Sequence, residues 1–173
     1  MTPLPALLGG TDLIAWRLDR DIHAPAWDSG EGAYRAGGRW NSKGVQAVYC
    51  SIDPATAILE VAVHKGFDAL DTVPHILTSA IVTDLAGIHV VDEAAIPNRN
   101  WLKPVAPSAG QQRFGDALLA AHRFVLIPSA VSNRSWNLVF LRSNAAGAYA
   151  LRDQERFSLD TRLDPPPRAG ALR

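Results

Sequence analysis

Between Asp53 and Gly66 the chain marks out one helix at both ends and leaves almost no polar surface in between. Asp53 is a strong N-cap residue, Pro54 suits the first helical position, and Gly66 suits the stop. From Ala57 to Val63 every residue is apolar except Glu60. A helix apolar on nearly all sides is expected to be buried on nearly all sides, so the fold has to surround it. A glutamate in such a helix faces water at an edge, is structurally paired, or lines a cleft, because full burial without a partner is rare. A carboxylate fixed on a rigid helix beside an apolar cleft also fits a catalytic group.

The surrounding segments read mostly as strands. Apolar runs at 13–18, 45–51, 76–82, 88–91, 124–127 and 136–141 predict strands, with a last one at 156–159. A second helix is predicted from the capping pattern Ser108-x-x-Gln111 to about His122, with Phe114, Leu118 and Ala121 on its apolar face. Residues 19–44 show neither a helical nor a strand period. A loop that long inside a domain is uncommon and often functional. Strands outnumber helices without alternating regularly with them. This predicts an α+β fold, a single compact domain around a bent or split mixed sheet. Residues 1–12 read as an irregular lead-in, 13–163 as the domain, and 164–173, which carry three consecutive prolines, as a disordered tail.

Composition excludes several classes. Lys+Arg and Asp+Glu are 17 each, so there is none of the basic surplus expected of direct nucleic-acid binding. No apolar run approaches the roughly 18–20 residues that span a bilayer. No basic residue precedes the apolar N-terminus, and a cytoplasmic protein is expected. Cys50 is the single cysteine, the histidines are scattered, and no phosphate-loop, metalloprotease, nucleophile-elbow or dinucleotide fingerprint occurs, so no metal is expected.

Six further residues stand out. Arg39 lies in "GGRWN", where Gly37 and Gly38 allow a close backbone approach or a positive φ, and Trp40 and Asn41 add an aromatic face and an amide. The alternative is that Gly37-Gly38 is a turn and Arg39 an exposed loop charge. Arg17 interrupts the strand "LIAWRL", pointing either to solvent or into a cleft where it holds a phosphate or carboxylate. Tyr49 precedes the Glu60 helix and is either core or a ring wall for a flat heterocycle. Ser129 follows Pro128 at a strand end, with no histidine near it to make it a nucleophile. Asn133 and Asn137 read as local hydrogen bonders that orient the Ser129 turn.

Together the blocks "WRL" with Arg17, "GGRWNSKGVQAVYCS" with Arg39 and Tyr49, "ATAILEVAVH" with Glu60 and "LIPSAVSNRSWNLVF" with Ser129 resemble the RES domain, named for a spaced Arg, Glu and Ser. The Asn-Pro usual after the last block is represented only by Ser143-Asn144. The resemblance implies a fold like that of ADP-ribosyltransferase toxins. It implies a toxin partnered by an Xre-like helix-turn-helix antitoxin, and because toxicity must be suppressed while both proteins persist, that antitoxin is expected to cover the substrate cleft. It also implies consumption of NAD, as substrate, by breaking its nicotinamide–ribose bond. Carried over by position, Glu60, Arg39 and Ser129 form the catalytic set. Arg17 and Arg39 hold the pyrophosphate, Tyr49 walls the nicotinamide, and Ser129 bonds the amide or ribose side. Water, phosphate or a host protein side chain as acceptor would give a glycohydrolase, a phosphorylase or an ADP-ribosyltransferase. A non-catalytic nucleotide- or protein-binding module is the remaining alternative.

Overall fold

The computed structural model describes residues 12–103, 107–132, 134–160 and 162. The expected lead-in before Asp12, the expected tail 164–173 and Asn133 lie outside the described residues. The strands are β1 (Leu13–Arg20), β2 (Ala47–Ser51), β3 (His75–Val82), β4 (Ile88–Val90), β5 (Phe124–Pro128), β6 (Trp136–Leu141) and β7 (Tyr149–Phe157). They form one 7-stranded sheet in the order β4-β5-β6-β2-β1-β3-β7. β4 runs parallel to β5 and every other pairing is antiparallel, so the sheet is mixed. Its centre is nearly cut: β1 and β2 pair only at Trp16 and Ser51. One block is β4-β5-β6-β2 and the other β1-β3-β7, which bears out the α+β reading.

The helices are α1 (Glu31–Ala36), α2 (Pro54–Lys65), α3 (Phe67–Thr72) and α4 (Ala109–Ala121). α2 packs on β1 and β2 and so lies across the seam. Its start is as expected: Pro54 opens the helix and the Asp53 carboxylate accepts from the Thr56 N–H at 2.8 Å. Its burial is not. Ile58, Val61 and Ala62 pack with Trp16, Leu18 and Leu77, whereas Leu59 and Val63 are exposed, Val63 by 62%. The all-apolar pattern therefore marks a one-sided helix with an apolar outer surface, not a surrounded one.

α4 begins as predicted, with Ser108 Oγ accepting from the Gln111 N–H at 3.1 Å. Its buried stripe is Gln111, Gly115 and Leu119; Phe114 and Leu118 are partly buried and Ala121 is exposed. The inward face is one residue on from the predicted one because Gly115 brings the helix backbone against Trp40. Beneath α4, Ala47, Val125, Ile127 and Val139 of the sheet pack with Trp40 and Trp101. The opposite face carries Leu13, Ala15, Val48, Cys50, Leu126, Leu138 and Phe140.

Three segments depart from the expected elements. Residues 19–44 hold a 3-10 turn (Asp21–Ala26) and α1, both too short to print a period. The last strand is the whole of Tyr149–Phe157, on the sheet edge, where its charged, exposed residues hide the alternation. α3 follows α2 at once after Gly66.

Candidate active site at the sheet seam

Glu60 stands on α2, facing the ends of β5 and β6. Its Oε1 accepts from Asn137 Nδ2 at 2.6 Å and from Ser129 Oγ at 3.1 Å. Both donors take the same oxygen, so neither commits Oε2. Glu60 itself is half-buried. Among the described residues it is thus neither a solvated edge residue nor a member of an ion pair, but a carboxylate held by neutral donors with its charge unneutralised by them.

Ser129 is 1% exposed. Its hydroxyl gives its proton to Glu60 and accepts from the Val131 and Ser132 N–H groups, each at 3.2 Å. The single donor and both lone pairs of a serine are then used. The structure places Ser129 as a support for Glu60, with no bonding capacity left over for the amide or ribose of a ligand. The loop it begins is closed by Ser129 N–H to Ser135 O at 3.0 Å. Ser135 Oγ then donates to the Asp53 carboxylate, so the loop is tied to both ends of the Asp53–Glu60 stretch. Burial pushes the Asp53 carboxyl up, but the bonds from Ser135 and Thr56 outweigh it and hold it below the usual value of 3.8.

Asn137 does not orient the Ser129 turn as expected; it reaches Glu60 directly. Its Oδ1 accepts from Ser51 Oγ at 2.8 Å, across the β2–β6 pair in which Ser51 and Asn137 stand opposite. Ser51 went unnoticed in the sequence. The available signal was a polar residue facing the core side of each of two neighbouring apolar strands.

The "GGRWN" segment wraps Tyr49. Tyr49 donates to Asn41 Oδ1 at 2.7 Å and accepts from the Trp40 N–H at 3.1 Å. The two glycines divide the two expected roles. Gly37 takes φ 73°, and a Cβ on Gly38 would lie 2.7 Å from the Tyr49 hydroxyl. Asn41 is fully buried and donates to the Ala33 and Val45 carbonyls, which pins the loop. Trp40 is core, 2% exposed beside Trp101, so its ring is not offered to a ligand. Burial raises the Tyr49 hydroxyl well above its ordinary value; the nearby charges of Asp116 and Glu60 push the same way, and the Trp40 N–H and Arg39 oppose. Arg39 and Glu60 therefore both lie within electrostatic reach of this hydroxyl. Arg39 is half-buried and donates through Nη1 to the Trp101 carbonyl.

Arg17 is not gathered with them. Leu13 and Ala15 belong to the face away from α2, and strand alternation puts Arg17 with them. Its Nη1 donates to the Tyr49 carbonyl at 2.9 Å and its Nη2 to Asp19 at 2.6 Å. It thereby ties β1 to β2 next to their single Trp16–Ser51 pair. Asp19 is pushed up by burial but held below its usual range by the Arg17 charge and the hydrogen bonds it receives.

Among the described residues, no group of three or more His, Cys, Asp or Glu side chains is placed to hold a metal ion. None of their helices is long and apolar enough to cross a membrane.

The model of the RES domain matches residues 14–161. This chain belongs to the RES-domain family. Two curated relatives both bear the name Toxin Res. The RES-domain chain is 32% identical to the one from Photorhabdus laumondii over 120 residues, 69% of this chain and 75% of the relative. It is 30% identical to the one from Pseudomonas putida over 154 residues, 87% and 99% of the two chains. The solved M. tuberculosis MbcT–MbcA toxin–antitoxin complex contains a chain of the same fold, with a TM-score of 0.68, 22% identity and 85% of each chain covered.

Proposed function

We propose that this RES-domain protein is the toxin of a toxin–antitoxin pair and that it breaks the nicotinamide–ribose bond of NAD. The observation that carries the chemistry is Glu60: a half-buried carboxylate on a rigid helix, fixed through one oxygen by two neutral donors, with no salt bridge to a cation among the described residues. Nicotinamide in NAD is already a cationic leaving group and needs no acid. The barrier lies in the positive charge that develops on the ribose, and a carboxylate set beside it stabilises that charge. Glu60 takes this role, and Ser129 keeps it in place. Arg39, tied to Trp101 by one Nη, supplies a guanidinium for the pyrophosphate. Tyr49 fixes the loop that carries Arg39. Arg17 acts on the far side, holding the parted strands together.

The likeness to relatives named as toxins, and to a toxin solved with its antitoxin, supports the pairing. The partner expected is a helix-turn-helix antitoxin. The test is release of nicotinamide from NAD by the purified chain and by Glu60→Gln, with and without phosphate. Glu60-dependent release supports the reading, and its phosphate dependence separates phosphorolysis from hydrolysis. Absence of release, with an ADP-ribose adduct on a host protein by mass spectrometry, would make the chain a transferase. Binding without turnover would sink the catalytic reading.

A further inference from the structure

The Ser51–Asn137 pair is costly to bury in this sheet. Ser51 is 2% and Asn137 8% exposed, on a face otherwise lined by Ile127 and Val139. Buried polar groups in such a face are kept only where their hydrogen bonds are made. Here they are made in one direction, Ser51 Oγ to Asn137 Oδ1 and Asn137 Nδ2 to Glu60 Oε1. An ionised carboxylate only accepts, so the asparagine has to turn its NH2 toward Glu60 and its carbonyl toward Ser51. We infer that Asn137, braced by Ser51, is a positioning residue that sets the rotation of the Glu60 carboxylate and aims its Oε2.

The inference rests on the proposed NAD-cleaving role for its catalytic readout, but its geometry does not. Ser129 alone would leave the carboxylate free to swing about a single 3.1 Å bond. A second donor on the same oxygen, at 2.6 Å and from a neighbouring strand, removes that freedom. Ser51 also sits where β1 meets β2, opposite Trp16. The brace is therefore anchored at the point where the two blocks of the sheet touch. Asn137 touches no substrate in this scheme; it acts through Glu60.

The test uses the full chain with Asn137→Ala, Asn137→Asp and Ser51→Ala, each checked by thermal melting. Loss of one charge-assisted hydrogen bond in Asn137→Ala is expected to lower kcat for nicotinamide release about 10–100-fold, with KM for NAD within about 3-fold. Ser51→Ala is expected to show a smaller loss of the same kind. Asn137→Asp places two carboxylates together, so activity is expected to survive only at pH values where the pair keeps one proton. That gives an alkaline fall which the parent lacks. A folded Asn137→Ala with parental kcat, a loss confined to KM, or a parental pH profile in Asn137→Asp would overturn the inference.

A second readout needs neither turnover nor an Asn137 variant. In protein labelled with 15N-asparagine, Glu60→Gln is expected to displace one side-chain amide signal whose proton lies downfield in the parent. No displaced amide refutes the positioning role. A displaced amide in a chain that releases no nicotinamide leaves that role standing and removes the NAD reading instead.

Discussion

Gly115→Ala is the substitution that tests how the Arg39 loop is held. Gly115 lies on the buried stripe of α4, and a Cβ there would meet Trp40 backbone: its O at 2.0 Å, its C at 2.7 Å and its Cα at 2.9 Å. Ordinary carbon contacts lie near 3.5 Å or more, so helix and loop have to part by over an ångström. Overpacking costs typically 1–3 kcal/mol, and the upper end applies because the neighbour is backbone and cannot rotate away. Alanine returns about 1 kcal/mol through its better helix propensity. The net loss is about 2 kcal/mol, which for a domain of this size lowers Tm by about 4–8 °C. The moved segment is Arg39–Trp40, and a misplacement of about an ångström in a site costs on the order of 100-fold in rate. Gly110→Ala, in the same helix with its nearest neighbour at 3.9 Å, is the control, expected to be neutral or slightly stabilising. Paired melting curves and nicotinamide-release assays decide it. If Gly115→Ala behaves like Gly110→Ala in both, α4 does not clamp this loop.

Tyr49→Phe strips an acceptor from the Trp40 N–H and a donor from Asn41 Oδ1. It is expected to lower stability by roughly 1–3 kcal/mol in melts and to reduce activity with it. Asp53 has its folded pKa depressed below 3.8, so its stabilisation is full above that value and fades as pH falls through the depressed one. Asp53→Asn keeps a competent N-cap, and its Tm is expected to converge on the parental Tm as pH is lowered from about 5 to 2. Burial pushes the Cys50 thiol up from 9.0 to about 12, so it contributes stability below 9.0 that is lost as pH rises toward 12. Native protein at pH 8 is expected to resist thiol reagents, with modification tracking unfolding; rapid labelling of folded protein would contradict the burial.

Glu60 was legible in the sequence because a lone carboxylate in an apolar helix is a local anomaly. The caps of α2 and α4 were legible for the same reason, since a cap is written within four residues. What the sequence hid is set by tertiary contact. Leu59 and Val63 look like core residues, yet the helix lies on one side of the sheet only. The inward stripe of α4 turns on Gly115, whose absent side chain carries no hydrophobic signal. β7 is an edge strand with a solvated pattern, and charge along a strand reads as loop. Asn137 and Ser51 lie 86 residues apart, and only the β2–β6 register brings them together.

Arg17 shows how one sequence signal can serve two physical needs. A cation in an apolar strand suggested an anion site, and it does meet an anion, but that anion is Asp19 in its own strand. Its other bond goes to backbone, at Tyr49 O. The reason lies in the sheet. Beyond their single Trp16–Ser51 pair the antiparallel strands β1 and β2 part on the Leu18–Tyr49 side, and Arg17 gives the Tyr49 carbonyl a donor there, as buried carbonyls need. Arginine, long and always charged, reaches across such a gap while keeping its charge paired. The same divergence gives α2 its place, since the helix starts directly after β2 and crosses back over β1. Two turns into that crossing, Glu60 arrives over the strand ends that supply Ser129 and Asn137. The parting of the sheet thus creates both the position for the carboxylate and the need for the arginine. Substitution of Arg17 should therefore disturb the site through the β1–β2 seam, without any contact between Arg17 and Glu60.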